Sequence, residues 1–379
     1  MKRHFLGFCL AAVLLIGVFC PLAHAETPDF PAQALVLMEA STGQVLYEKS
    51  AHVQRPCASI TKVMTLLLVF EAIDAGTLHP DDTLTASAHA AGMGGSDIWL
   101  KEGEQMTVDD LIKACVVMSA NDAAVVLAEA VAGSEDAFVE RMNARAAELG
   151  MNDTVFKNCN GLDEDGHITS AYDVAVMSRA LMQHEKIFDY TLIWIDYVRD
   201  GQTQLVNTNK LVRTYDGILG LKTGTTSAAG SCISAAAERN GMRLIAVVLG
   251  AENTKDRFSA ASSLLDYGFA NWKLTTPELP ELPELPVTGG MVNAVSLECE
   301  APRGVLTSSG GAEIGVKLIL PENVPAPVEP GDVLGTAEVT LNGDTVQSLK
   351  ITAKTEAFAI TFSSALQYFL ARFFAAEAA

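Results

Sequence analysis

Ser59, Lys62, Ser119, Asn121 and Lys222 are the residues of this 379-residue chain whose types and spacing could do chemistry. They fall in three ordered segments: Ser59-Ile60-Thr61-Lys62, Ser119-Ala120-Asn121 and Lys222-Thr223-Gly224. Together these supply a nucleophile, a base, a proton relay, a second cation and a backbone strand, the equipment of acyl transfer through a serine ester. Positions i and i+3 of a helix share a face, so Ser59 and Lys62 can meet. Near a helix start, unsatisfied N–H groups and the dipole favour developing negative charge. A lysine acts as a base only when neutral. Burial and a second cation, for which Lys222 is available, both lower its pKa. Alone, the tetrapeptide reads as a capping serine beside a surface lysine.

Ser119-Ala120-Asn121 follows the apolar run Cys115-Val116-Val117-Met118, where a polar triplet is unusual. Its plain reading is helix termination or capping by Ser119, Asn121 and Asp122. Its chemical reading makes Ser119 a proton relay to a leaving group and Asn121 an amide that holds a substrate backbone. Lys222-Thr223-Gly224-Thr225 ends a strand. Gly224 lets a ligand backbone approach closely, and a peptide could add along the strand edge. The N–H groups of Thr225 and Ser59 would form an oxyanion hole. A turn after a strand is the plainer alternative. The chain has no Gly-x-Ser-x-Gly elbow, which removes the usual serine-hydrolase competitor.

The elements that must position these residues follow from periodicity. Ala34–Met38 and Gln44–Tyr47 read as strands joined by the turn Ser41-Thr42-Gly43. Ser59–Ala75 reads as a helix with Val63, Leu66, Leu67 and Phe70 on one face. Met106–Ala132, Ser134–Leu149 and Asp173–Gln183 read as further helices, with Ser134 as an N-cap. Leu219–Thr223, Ser231–Ala237 and Met242–Leu249 read as consecutive strands, and Arg257–Phe269 as a closing helix. Strands at both ends with helices between predict one sheet in an α/β or α+β layered body.

The first 25 residues read as a cleaved signal peptide: Lys2 and Arg3, an apolar run from Leu10 to Leu22, then Ala23-His24-Ala25. The body then spans 26–275. A Pro-rich linker, 276–286, contains the extended repeat from Pro277 to Pro286. Residues 287–355 read as a small all-β module, with Ala337–Leu341 and Gln347–Thr352 joined through Asn342-Gly343. In the terminal segment, 356–379, Phe362, Leu366, Phe369, Leu370 and Phe373 mark one helix face, with Phe374 added. That face suits an in-plane membrane anchor better than a helix docked on the β module. Arg372 is its one basic residue, so binding would rest on apolar burial.

The net charge of −20 becomes −22 once Lys2 and Arg3 leave, which argues against nucleic acid as a partner. The five remaining cysteines, Cys57, Cys115, Cys159, Cys232 and Cys299, are odd in number and have no Cys-x-x-Cys spacing. Neither a disulfide framework nor a zinc site is indicated, and the histidines form no metal pattern. No metal or other cofactor is expected. His167 reads as a loop residue engaged in local hydrogen bonding.

With these residues in view, the chain resembles a D-alanyl-D-alanine carboxypeptidase, a low-molecular-mass penicillin-binding protein, and is especially similar to the sporulation type. Beyond the three motifs, Gly94–Glu104, Asn160-Gly161-Leu162 through His167, Ser170–Asp173 and Gly220–Gly224 carry the likeness. The resemblance implies a penicillin-recognising α/β (α+β) transpeptidase-like domain, a β-rich domain above the membrane, and action at the outer face of the cytoplasmic membrane. It implies that Ser59 attacks the penultimate D-Ala carbonyl of a peptidoglycan stem peptide, with Lys62 as base and Ser119 as relay. Lys222 would bind the terminal carboxylate, helped by Arg257, beside Asn121, Thr223, Gly224 and Thr225. β-Lactams would acylate the same serine. The sequence departs in having Ser-Ala-Asn for the commoner Ser-Gly-Asn, and Thr225 where others carry a bulkier residue. A class A β-lactamase shares the motifs but needs a glutamate, for which Glu148 is a loose match. A catalytically silent wall-binding or β-lactam-sensing module is the remaining alternative.

Overall fold

The computed structural model describes residues 30–367 and Leu370. The signal-like segment, Phe369, Arg372, Phe373 and Phe374 lie outside the described residues.

Five strands form one antiparallel sheet: β1 (Ala34–Glu39), β2 (Val45–Lys49), β3 (Ile218–Thr226), β4 (Gly230–Arg239) and β5 (Met242–Ala251). Their order is β2-β1-β5-β4-β3, so the ends of the body meet where β1 pairs with β5. Successive strand residues point to opposite faces. Val36, Met38, Ile245 and Val247 join a core with α1 (Lys62–Asp74), α2 (Asn121–Ala132) and α3 (Ala171–Leu181). Leu35, Leu37, Leu244 and Ala246 join a second core under α4 (Thr254–Asn271). With both faces covered, β5 has no reason to alternate polar and apolar residues, which accounts for its unbroken apolar run. The layered body expected from the sequence is the one observed.

One expected helix is not continuous. Across Met106–Ala132 the chain forms a short strand at Gln105–Thr107, a helix at Val108–Lys113 and a widened π turn at Ala114–Met118. Ser119 then takes a left-handed conformation (φ 64°), and α2 starts at Asn121. Apolar periodicity runs through the break because both flanking pieces bury the same residue types.

The β module holds a separate apolar cluster that includes Leu297, Val339, Ile351 and Ala353. Its hairpin, Val333–Leu341 with Asp344–Ala353, turns at Asn342 (φ 52°) and Gly343 (φ 93°), the pair of positive φ angles that this dipeptide favours. Trp272–Thr275, directly after α4, pairs antiparallel with Val305–Ser308, so backbone hydrogen bonds tie body and module.

Gly268 sets how closely α4 approaches the sheet. A Cβ there would lie 2.4 Å from Leu244 Cδ1 and 2.8 Å from Leu37 Cδ2. Alanine gains about 1 kcal/mol of helix propensity, while overpacking a filled core costs about 1–3 kcal/mol. Both leucines are fully buried and have nowhere to swing, so overpacking wins. Gly268→Ala is expected to lower stability by about 1 kcal/mol in urea denaturation; an unchanged or raised midpoint would contradict this packing.

Candidate active site

Ser59 lies in a single 3-10 turn, Ala58–Thr61, that feeds into α1, and it is half-buried. Two glycines let other segments close around it. At Gly161 (φ 87°) a Cβ would sit 2.0 Å from the Ala58 carbonyl oxygen, and at Gly224 one would sit 2.8 Å from the Ser59 nitrogen. The edge strand β3 therefore runs against the serine's own N–H, where a larger residue would not fit.

Lys62 is fully buried, and its ammonium donates to three acceptors: Ser59 Oγ at 3.2 Å, Asn121 Oδ1 at 2.5 Å and the Asn160 carbonyl at 2.7 Å. Each of its N–H bonds has a partner, and one points at the serine. Burial lowers the Lys62 pKa to about 8, against the opposing influence of nearby thiols and the carboxylates of Asp97 and Asp122. Lys222 is also buried; its pKa falls to about 7, through burial first and then through the charge of Lys62. The like-charge repulsion expected to help Lys62 thus falls on Lys222, while burial is what lowers Lys62.

Ser119 is buried, and its Oγ has no hydrogen-bond partner. The π turn and left-handed backbone place it there, since a continuing helix would carry it past. Asn121 is engaged inside the protein: Oδ1 accepts from Lys62, and Nδ2 donates to the Gly94 carbonyl at 2.6 Å. Lys222 Nζ donates to the Thr223 carbonyl at 3.0 Å, and the Thr223 hydroxyl pairs with that of Thr208 at 2.7 Å. Arg257, in the first turn of α4, stands behind β3 and donates to Thr225 Oγ1 at 3.0 Å and to the Gly224 carbonyl at 3.2 Å. Its guanidinium stacks on Phe258, and its Nε is buried without a partner.

Hydrogen bonds and the approach of Gly224 to Ser59 link eight of the nine predicted site residues, and Ser119 stands two positions before Asn121 with no hydrogen-bond partner of its own. Two contributors had no role in the sequence reading, and a third, His167, had only local hydrogen bonding. The Asn160 carbonyl holds Lys62, and Gly161 makes room for the Ser59 turn. His167 braces that turn: Lys157 N–H donates to its Nδ1, so Nε2–H donates to Thr61 Oγ1 at 2.8 Å, and Thr61 donates on to the Ala58 carbonyl. Burial pushes the His167 pKa down to about 4, keeping it neutral. Its local hydrogen bonding is as expected. The Asn160-Gly161 pair was the available signal, since a polar residue before glycine marks a tight backbone approach. Glu148, the glutamate a class A β-lactamase reading would need, is exposed and paired with Arg145.

Among the described residues no group of histidine, cysteine and carboxylate side chains could hold a metal ion. What remains is a serine, two buried amines and backbone donors, a set suited to acyl transfer through the serine.

The comparisons agree with this chemistry. The family described as D-alanyl-D-alanine carboxypeptidase matches residues 22–253, and the penicillin-binding protein 5 C-terminal domain matches residues 281–357. The chain belongs to the D-alanyl-D-alanine carboxypeptidase family and is a serine peptidase of that specificity. It is 38% identical to D-alanyl-D-alanine carboxypeptidase DacF of Bacillus subtilis, over 91% of this chain and 93% of that protein. Against DacC of Escherichia coli the identity is 33%, covering 89% and 88%. Penicillin binding protein 5 from Haemophilus influenzae has a similar structure, with a TM-score of 0.74, 29% identity, and coverage of 88% of this chain and 99% of that one. A second, penicillin-binding protein D2 from Listeria monocytogenes, was solved in an ampicillin-bound form (TM-score 0.59, 33% identity, 64% and 100% covered).

Proposed function

We propose that Ser59 is the nucleophile with which this carboxypeptidase attacks the penultimate D-Ala carbonyl of a peptidoglycan stem pentapeptide. The observation that carries this is the contact between the buried Lys62 amine and Ser59 Oγ. With a pKa of about 8, roughly a tenth of Lys62 is neutral at pH 7, enough to take the serine proton as the C–O bond forms. The N–H groups of Ser59 and Thr225 receive the oxyanion. The intermediate collapses by breaking the C–N bond, and the leaving D-Ala amine takes its proton from Lys62 through Ser119, whose hydroxyl has no competing partner. Water then hydrolyses the ester. Asn121 holds Lys62 and lines the substrate backbone, which adds along Thr223–Thr225.

Lys222 and Arg257 bind the terminal carboxylate. An anion beside Lys222 restores the charge that burial disfavours, so binding and protonation reinforce each other. β-Lactams acylate Ser59 by the same route, a reading supported by the ampicillin-bound relative. The surface Glu148 weighs against a β-lactamase, and the complete Ser59–Lys62 contact weighs against a silent binding module.

We place the chain outside the cytoplasmic membrane after removal of residues 1–25, with the catalytic body at 26–275, the linker at 276–286, the β-rich domain at 287–355 and a membrane-surface helix at 356–379. No helix among the described residues is long and apolar enough to cross a membrane. Thr361 and Ser364 cap the start of the terminal helix, and Phe362, Leu366 and Leu370 are all exposed rather than docked on the module.

Ser59→Ala should abolish labelling by a fluorescent penicillin and cut D-Ala release from a pentapeptide about a thousandfold or more; release that persists would sink the assignment. The productive form carries one proton, on Lys222 and not on Lys62, so the two amines titrate as a pair. kcat/KM for D-Ala release should therefore peak between about 7 and about 8 and fall on either side. A profile still climbing well above both values would remove Lys222 from carboxylate binding. Deleting residues 361–379 should release the protein from membranes in a flotation assay, and an unchanged bound fraction would refute the anchor.

A further inference from the structure

Trp99 has 72% of its surface open to solvent and a left-handed backbone (φ 56°), in the loop whose Gly94 and Ser96 carbonyls accept from Asn121. A bulky residue there costs about 1–2 kcal/mol, so its surroundings must hold it. They do so from both sides. The buried Asp122 carboxylate accepts from the N–H of Ile98 at 3.2 Å and of Leu100 at 2.9 Å. Arg199 donates to the Ile98 carbonyl at 2.8 Å and reaches the Trp99 carbonyl at 3.5 Å, while Glu104 pairs with it at 2.6 Å.

The same loop is tied to the catalytic amine. Asn121 N–H donates to the Ser96 carbonyl, and Asn121 Nδ2 to the Gly94 carbonyl, while Asn121 Oδ1 holds Lys62. Arg199 belongs to the hairpin formed by Ile195–Val198 and Thr203–Val206, whose outer face exposes Tyr197 about half-way. Two aromatic side chains therefore stand on segments joined by one guanidinium, and that cation is neutralised by Glu104.

We propose that Trp99, with Tyr197 beside Arg199, is a platform for the pyranose faces of the glycan strand that carries the stem peptide. The inference rests on the carboxypeptidase reading above. A rigid indole offers a large flat apolar area at little entropic cost, with one N–H for a hydroxyl. Arg199 is paired with Glu104, the exposed Lys101, Glu102 and Asp200 nearby add no excess of positive charge, and the chain's net charge of −20 disfavours an anionic polymer. A neutral sugar ring fits that chemistry. Trp99 is thus a specificity-determining residue outside the acyl-transfer machinery.

The test compares a free peptide ending in D-Ala-D-Ala with the same stem attached to a soluble glycan strand. Trp99→Ala should lower kcat/KM about tenfold on the glycan-linked substrate, mostly through KM, and leave the free peptide unchanged. Trp99→Phe should recover most of the loss. In the Ser59→Ala background, sedimentation with peptide-free glycan strands should show binding that Trp99→Ala weakens by a similar factor. An equal fall on both substrates would mean that Trp99 merely positions Asn121, and no change on the glycan-linked one would also overturn the proposal. Failure of the unsubstituted protein to release D-Ala from either substrate would instead sink the carboxypeptidase reading, with the sedimentation result still deciding the platform.

Discussion

Two lysine amines held out of water in one small volume are the constraint on which the site depends. A buried ammonium is costly unless every proton finds an acceptor. Lys62 meets that demand with Ser59 Oγ, Asn121 Oδ1 and the Asn160 carbonyl, drawn from three separate segments. Each segment must depart from regular structure to reach it. The helix before Ser119 widens and breaks, the loop at Gly161 turns left-handed, and the Ser59 turn tightens to 3-10 geometry.

The like charge of Lys222 adds a second requirement. Two buried ammonium groups near each other resist being charged together, so burial and the charge of Lys62 favour loss of a proton from Lys222 near neutrality. The two amines differ in what each touches: Lys62 reaches Ser59 Oγ, while Lys222 donates to the Thr223 carbonyl on the strand that Arg257 backs. Four buried cysteines, Cys57, Cys115, Cys159 and Cys232, pack around these groups, and burial raises the pKa of each, leaving them inert fillers.

The five-strand order follows from the same need. Pairing the first strand with the last brings the body's two ends into one sheet and leaves β3 on the edge, where it runs against Ser59. Helix α4, held close to the sheet by Gly268, delivers Arg257 to the back of that edge.

Much of this was legible in the residues. The three motifs, the layered body, the Asn342-Gly343 hairpin and the capping role of Ser134 are local signals of spacing, period and turn chemistry, and such signals survive in one dimension. The break at Ser119 was legible only as the plain reading of its polar triplet, since apolar periodicity is the same on either side of it and does not mark the π turn. The Asn160 carbonyl was not legible, since a backbone acceptor has no residue type to announce it, and the local hydrogen bonding expected of His167 did not name Thr61 as its partner. The sequence by itself determined which groups could react; tertiary structure decided which amine touches Ser59, because burial and distance, not residue identity, set a lysine's charge.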